Sequence, residues 1–366
     1  MEYTMLNYIE RQPEILKKAF DNRNLFVNVL LEIFEKYNIK RIYLMGSGTS
    51  YHVSKLAAMW FNKYLNVEAS ASYPVVFTDT EEINKHGVYQ SNEILVVGIS
   101  QSGTSTSTIN GIHKAIEKGC VTLCYSQDAN SELAQLCDYT MIIPCEKEMV
   151  PPETQGYTAA ILALYLGVIA VANAYGLIND YARRLQAVVD MIDFYLAKAI
   201  SIAKQWIKDN HYLLAKAHKM YVVGANLNYV TAMEGALKMG ETMRRVVQTY
   251  EMEEFAHVVD LACVEEDYLF AIVHSEFSCE RSLQICDVMK KISNKVFVIS
   301  DVVNNSKQDC YFDFDVDEDL SVFYYVVPFQ LIGAIIAEHL GVDTSRYPYE
   351  NIHSIAHNEE YHLYDL

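Results

Sequence analysis

The sequence has few features of a disulfide-bonded, nucleotide-binding or nucleic-acid-binding protein. Its eight cysteines include no Cys-x-x-Cys pair, and several lie in apolar patterns, which indicates reduced core thiols. The formal net charge is −18 and no cluster of Lys or Arg occurs, which disfavours nucleic acid. No Gly-Lys-Ser/Thr loop is present, and Gly46-x-Gly48 is followed by Tyr51 where a dinucleotide fingerprint has a third glycine. No cofactor is therefore predicted.

Targeting segments and a metal-binding pattern are also missing. The apolar runs are interrupted before the ~20 residues that a membrane span requires, and residues 1–10 lack a basic region followed by an apolar stretch. We therefore expect a soluble, cytoplasmic protein with no membrane partner. A histidine and glutamate group near the C-terminus matches no compact zinc spacing, so no metal is predicted. Its members are His353, His357, His362, Glu359 and Glu360.

The first half alternates strand and helix patterns, which predicts an α/β fold with a doubly wound parallel sheet. With 366 residues the chain has room for two domains. The strand patterns lie at 41–45, 69–72, 94–99, 121–125 and 139–143. The helical patterns lie at 50–65, 106–118, 131–135 and 154–174.

The second half repeats this plan. The run from Met220 to Gly224 resembles the run from Ile42 to Gly46 and lies 178 residues after it. The segments 268–274, 296–300 and 326–339 then take the places of later elements of the first half. Residues 180–208 are helical in pattern and contain neither Pro nor Gly, which indicates a packed helical arm. We expect a first domain with a leading helix at 1–178, a helical connection at 179–215, and a second domain with a tail at 216–366.

The most informative segment is an apolar strand pattern that continues directly into uncharged polar residues. Residues 94–99 are β-branched and continuous, as in a parallel strand buried on both faces. The sequence Ser-Gln-Ser-Gly-Thr-Ser follows at 100–105, before a helix whose first turn presents N–H groups. Such a loop suits a phosphate or similar anion; an ordinary Ser/Thr-rich helix cap is the alternative. Because ligands lie beyond the carboxyl ends of parallel strands, residues 47–50 can join the same pocket.

Candidate proton-transfer groups occur in the second half. Glu234, Lys238 and Glu241 have i, i+4 and i+7 spacing, which puts all three on one face of a helix. A solvated stripe with an ion pair is the structural alternative. His257 precedes an apolar run and, taken alone, is more typical of a structural histidine.

These residues together resemble the sugar isomerase (SIS) domain proteins, in particular the double-domain isomerase half of glucosamine-6-phosphate synthase and the related fructosamine-6-phosphate deglycases. The resemblance covers nearly the whole chain and implies two tandem flavodoxin-like domains. It implies that Glu241 transfers the proton with Lys238 beside it. It also implies that His257, sixteen residues later, opens the sugar ring from the neighbouring subunit. The implied phosphate and sugar contacts are Ser47, Thr49, Ser50, Ser100, Gln101, Ser102, Ser105 and Glu148.

The chain departs from the synthase pattern at several positions. There is no N-terminal glutamine amidotransferase domain, so synthase activity is not expected. The Schiff-base lysine of the synthases is replaced within Asn351-Ile352-His353-Ser354, where His353 is a partial substitute at best. Val258-Val259 replaces a Gly-Pro pair, and Gln155 stands where the synthases have a lysine.

These departures favour a substrate that already carries its nitrogen. We expect a deglycase in which His257 opens the ring of a fructosamine 6-phosphate and Glu241 moves a proton between C1 and C2. Water then splits the aldimine into glucose 6-phosphate and free amine. Lys238 either stabilises the developing oxyanion or pairs with Glu234.

Two other functions remain open. An aldose/ketose phosphate isomerase or a glucosamine-6-phosphate deaminase-type enzyme would use the same two residues. A non-catalytic phosphosugar sensor is disfavoured. Sensors of the family that this chain resembles usually carry a DNA-binding domain, and residues 1–40 are too short and insufficiently basic to form one. A histidine supplied by a neighbouring subunit requires at least a homodimer. The sequence does not indicate which amine is released.

Overall fold

The computed structural model describes residues 3–276, 278–302 and 306–349. The strands are β1 Arg41–Met45, β2 Glu68–Ser72, β3 Ile94–Ile99, β4 Val121–Ser126, β5 Tyr139–Ile142, β6 Lys219–Gly224, β7 Val246–Glu251, β8 Tyr268–Val273, β9 Val296–Ser300 and β10 Cys310–Tyr311. The helices of the first half are α1 Met5–Glu10, α2 Gln12–Asp21, α3 Asn24–Lys36, α4 Thr49–Tyr64, α5 Pro74–Asp79, α6 Thr106–Glu117, α7 Glu132–Leu136 and α8 Gln155–Ala174. Those that follow are α9 Tyr181–Asp190, α10 Leu196–Ala215, α11 Leu227–Met243, α12 Met252–Ala256, α13 Val259–Ala262, α14 Cys279–Lys290, α15 Ser321–Tyr325 and α16 Val327–His339.

The strands of the described residues form two five-stranded sheets in which every pair is parallel. The first sheet has the order β2-β1-β3-β4-β5, and the second has the equivalent order β7-β6-β8-β9-β10. This is the flavodoxin-like order, whose switch point lies between the first and third strands. The predicted fold of two tandem doubly wound domains is therefore confirmed.

The central strands are buried along their whole length, because helices cover both faces of each sheet. Strands β3, β4 and β8 have no residue that is exposed or even half-exposed. Their apolar side chains and those of the covering helices leave polar chemistry to the loops at the strand ends.

Two core helices are longer and more apolar than the sequence analysis allowed. Helix α8 and the helical segment Ser321–His339 have the length and composition of a membrane span, and 89% of an 18-residue window in each is buried. The expectation that apolar runs stop well short of that length is wrong for these segments. Burial to this extent is typical of helices in a protein core.

The chain divides into two compact units. The first-sheet unit contains Ile15–Glu148, Gln155–Arg184 and residues 347–349. The second-sheet unit contains residues 3–14, Met149–Thr154 and the described part of Leu185–Arg346. Helix α1 thus lies in the second-sheet unit, whereas the sequence analysis grouped it with the first domain. The boundaries at 178 and 215 stay predictions.

The predicted helical arm is present. Helix α9, a π-helical turn at Met191–Tyr195 and helix α10 follow one another without a break from residue 181 to residue 215. Four of the eight cysteines are buried, the others are half-buried, and none of the eight forms a disulfide, as expected of reduced core thiols.

The two halves share an unusual backbone conformation after their first strands. Gly48, before α4, has φ 56° and ψ −130°, and Asn226, before α11, has φ 53° and ψ −130°. The two positions correspond in the internal repeat. Asn tolerates the left-handed helical region, but a ψ of −130° lies outside it, so Asn226 is strained where glycine is not.

We expect Asn226→Gly to raise the free energy of unfolding by about 1 kcal/mol through relief of this strain. The Asn226 side chain is exposed and forms no cap hydrogen bond, so its loss removes no contact that opposes the gain. Chemical denaturation of both variants measures the effect. The reciprocal change Gly48→Asn should destabilise, and a stability decrease in Asn226→Gly would contradict the strain argument.

Candidate functional site

Two loops leave the first sheet at its switch point. Met45 of β1 lies opposite Gly98 of β3, so both strands end at one edge of the sheet. The loops that follow begin at Ser47 and at Ser100. This is the edge at which ligands bind in open parallel sheets.

The loop 100–105 is closed by glycine. The N–H of Gly103 donates to the carbonyl oxygen of Ser100 at 3.0 Å and to its Oγ at 3.1 Å. Gly103 has φ 68°, and a Cβ at this position would overlap Oγ of Ser131. The loop therefore requires glycine both for its backbone angle and for its close approach to Ser131.

The hydroxyls of this loop point to more than helix capping. Ser105 directly precedes α6 but forms no side-chain cap hydrogen bond, so it does not use the N–H groups of the first turn. Ser102 is exposed, and its Oγ lies 2.8 Å from Oγ1 of the exposed Thr104. Exposed hydroxyls just before the N-terminus of a helix are donors of the kind that an anion requires.

The loop after β1 presents a second set of polar groups. Ser47 is exposed, while Thr49 and Ser50 are half-buried in the first turn of α4. The ring of Tyr51 stacks on that of Tyr73, with 3.9 Å between centroids. This aromatic pair, which the sequence analysis did not single out, lies at the same edge of the sheet as the polar residues.

Glu148 lies at the N-terminus of α8. Its side chain is 6% exposed, and its Oε1 accepts a hydrogen bond from the N–H of Gly156 at 2.9 Å. The amide of Gln101 packs on the same glycine, since a Cβ on Gly156 would lie 2.5 Å from Nε2 of Gln101. The structure therefore brings Gln101 of loop 100–105 next to the helix end that Glu148 caps.

A charged cluster forms on one face of α11 in the second-sheet unit. Nζ of Lys238 lies 2.7 Å from Oε1 of Glu241 and 3.5 Å from Oε1 of Glu234. The side chains of Lys238 and Glu234 are 2% and 0% exposed, whereas that of Glu241 is 34% exposed. The alternative is right about the i,i+4 ion pair of Lys238 with Glu234 and wrong about its solvation, because both of these side chains are buried.

The buried lysine keeps its charge. Burial alone lowers the pKa of Lys238, but Glu241 and Glu234 outweigh it, and the pKa is raised above the ordinary lysine value. Glu153, from the segment Met149–Thr154 of the same unit, adds to this effect. Glu153 was missed in the sequence, where a single acid after Pro151-Pro152 gives no signal of a distant lysine.

His257 is exposed at the end of α12. Its backbone N–H donates to the carbonyl oxygen of Glu254 at 3.1 Å, and its imidazole lies near Glu253. The pKa of Glu253 is lowered, chiefly by a hydrogen bond from Arg281 and to a smaller extent by His257. Because the residue is exposed, the imidazole is accessible to solvent.

The predicted site residues fall into two groups. The serine and threonine loops, Gln101 and Glu148 lie in the first-sheet unit, and Lys238, Glu241 and His257 lie in the second-sheet unit. His353 and the other C-terminal histidines and glutamates lie outside the described residues. Among the described residues no group of three or more His, Cys, Asp or Glu side chains could hold a metal ion.

The loop after β8 in the second sheet differs from loop 100–105, which follows β3 in the first. Ser275, which follows β8 as Gln101 follows β3, donates to Asp301 from its N–H at 2.9 Å and from its Oγ at 2.6 Å. The hydroxyl of Tyr325 donates to the same carboxylate at 3.0 Å. In this half a carboxylate of the chain itself accepts the hydrogen bonds of the loop that corresponds to loop 100–105.

Comparisons with known proteins agree with this architecture. The glutamine–fructose-6-phosphate aminotransferase (isomerizing) of Aquifex aeolicus is 26% identical over 352 residues, which are 94% of this chain and 56% of the relative. The chain therefore spans little more than half the length of this curated relative.

Two solved structures show the same fold. A Clostridium difficile 630 protein provisionally named a phosphosugar isomerase has a TM-score of 0.87 and 27% identity, covering 97% of this chain and 98% of that one. The glucosamine-6-phosphate deaminase of Thermotoga maritima has a TM-score of 0.74 and 18% identity, covering 94% and 97%. At 18% identity the second likeness shows the fold alone.

One domain family matches the chain twice. The SIS domain matches residues 37–172 and again residues 213–333, one segment for each sheet. The two parallel sheets, the Ser/Thr loop at the first switch point and this double match lead to one conclusion: the chain belongs to the SIS domain family.

Proposed function

We propose that this chain is a phosphosugar enzyme that cleaves a fructosamine 6-phosphate into glucose 6-phosphate and a free amine. Membership of the SIS family and the phosphosugar names of its relatives support a phosphosugar-directed function. The deglycase reaction is a more specific assignment, and it is argued from the charged cluster of Lys238, Glu234 and Glu241.

The observation that carries the proposal is the arrangement of Lys238 and Glu241. Glu241 is the partly exposed carboxylate of the cluster, so it can reach a substrate carbon and return a proton to the neighbouring one. Lys238 stays charged behind it and stabilises negative charge that develops on the substrate oxygen. A buried ammonium held by carboxylates is pre-organised for this task, since it does not reorient during the reaction.

The charge balance of the cluster favours a nitrogen-containing substrate. Glu234, Glu241 and Glu153 place three carboxylates around one lysine. A surplus of negative charge attracts a protonated substrate amine, which a fructosamine carries and a simple ketose phosphate lacks. This is the reason to place the deglycase before the isomerase.

The isomerase and deaminase alternatives use the same residues. Isomerase and deaminase are the names carried by two of the structural neighbours. In each case Glu241 would move the proton and His257 would open the ring. These reactions are therefore separated by substrate and not by the residues of the cluster.

The remaining assignments complete the proposal. Ser47, Thr49, Ser50 and loop 100–105 hold the phosphate, and no cofactor or metal is assigned. The protein works in the cytoplasm as a homodimer or higher homo-oligomer, and His257 reaches the site of a neighbouring subunit. Its exposure at the end of α12 supports this role.

We expect the protein to release glucose 6-phosphate from 6-phosphorylated fructosamines, and Glu241→Gln to lower the rate by at least about 100-fold. The amide keeps the shape of the carboxylate but cannot accept the proton. A coupled dehydrogenase assay measures the rate, and the Kd for fructose 6-phosphate should change little. Glu266→Gln, at an exposed carboxylate of the same unit, is the matched control. Conversion of fructose 6-phosphate alone, with inert fructosamines, would move the assignment to an isomerase.

Mixing two inactive variants tests whether His257 acts across subunits. If each site takes Glu241 from one subunit and His257 from the other, a mixed dimer of Glu241→Gln and His257→Asn chains contains one intact site of two. Random re-association from equal amounts should then restore about a quarter of the wild-type rate. No recovery, with mixed dimers demonstrated by native mass spectrometry, would show that both residues act within one chain.

A substitution at Gly103 tests whether loop 100–105 binds the substrate. Gly103→Ala adds a Cβ that overlaps Ser131 and has an unfavourable φ, so we expect at least about a tenfold loss in affinity for fructose 6-phosphate by calorimetry. Gly176→Ala is the control, because Gly176 has φ 65° and open space around its Cα. Equal affinities in the two variants would remove this loop from the binding site.

A further inference from the structure

Gln155 is a buried amide with only one of its ends satisfied. It is the first residue of α8, and its side chain is 0% exposed. Its Nε2 donates to the carbonyl oxygen of Glu146 at 3.2 Å. Its Oε1 is buried and has no hydrogen-bond partner in the described part of the chain.

A second half-satisfied amide lies beside it. Nε2 of Gln101 is buried without a hydrogen-bond partner among residues 3–276, 278–302 and 306–349. Gln101 packs on Gly156, the residue after Gln155. The first turn of α8 and loop 100–105 therefore share an orphan acceptor and an orphan donor.

A buried polar atom without a partner costs free energy, so such atoms in native proteins are matched by a ligand or by water. The two orphans here are complementary: an amide N–H requires an acceptor, and an amide oxygen requires a donor. A hydroxyl supplies both. A phosphate oxygen cannot serve as the donor unless it is protonated, and an ammonium group cannot serve as the acceptor.

We propose that Gln155 and Gln101 bind one hydroxyl of the sugar part of the substrate, and that Gln155 makes the site select a sugar phosphate over phosphate alone. The choice of a phosphosugar rests on the proposed function. The role of Gln155 is a binding role, which leaves the proton transfer to the charged cluster.

The test is a comparison of two ligands on Gln155→Met, which keeps the length of the side chain and removes both polar ends. Calorimetry measures the Kd of fructose 6-phosphate and of inorganic phosphate. We expect the sugar phosphate to bind about tenfold more weakly and inorganic phosphate to stay within about twofold. An unchanged Kd for fructose 6-phosphate would overturn the proposal, because the orphan atoms would then hold water. An equal loss for both ligands would also overturn it, because the loop itself would be distorted.

A control separates loss of binding from loss of stability. Asn210 is a buried amide of the second-sheet unit whose Nδ2 donates to the carbonyl oxygens of Trp206 and Lys307. Asn210→Leu should lower Tm and leave the preference for the sugar phosphate unchanged. Binding is measured separately from turnover. A wild-type protein that does not cleave fructosamine 6-phosphates but binds fructose 6-phosphate more tightly than inorganic phosphate would contradict the deglycase and retain the role of Gln155. A wild type that binds inorganic phosphate but not fructose 6-phosphate would overturn both.

Discussion

The parallel direction of the strands is the constraint on which the molecule depends. Parallel strands with helices on both faces have fully apolar interiors, so polar chemistry is confined to the ends of the strands. The flavodoxin-like order then places the loops after β1 and β3 side by side at one edge. The Ser/Thr loops and the helix N-termini of the first-sheet unit are therefore products of the topology as much as of the local sequence.

The charged cluster on α11 is the exception to this separation of apolar and polar groups. Burying Lys238 is tolerable only because Glu234 and Glu241 accompany it, and removal of one partner of a buried pair costs about 3–5 kcal/mol. Replacement of such a pair by apolar residues is often neutral or stabilising, so packing alone does not explain its presence. The proposed role of the partly exposed Glu241 in proton transfer would account for these charges.

The sequence predicted the repeated architecture well, because buried strands and helix patterns are local signals. It missed β7, an edge strand in which Gln248 and Thr249 interrupt the apolar pattern. It also left open whether this face of α11 is solvated, since burial of an i,i+4 ion pair is set by the elements packed over it. The effect of Glu153 on Lys238 could not be predicted, because these residues are distant in the sequence. The unsatisfied oxygen of Gln155 could not be predicted either, because it is defined by which groups of the described residues surround it.

The carboxylate of Asp301 occupies the loop of the second sheet that corresponds to loop 100–105 of the first. A carboxylate attached to the chain is held next to Ser275 at an effective concentration that a free phosphate ion in solution does not reach. In the second-sheet unit the donors of this loop are therefore already satisfied within the chain. The duplication therefore carries one loop whose Ser102 and Thr104 side chains stay exposed and one whose donors are held by a carboxylate of the chain itself.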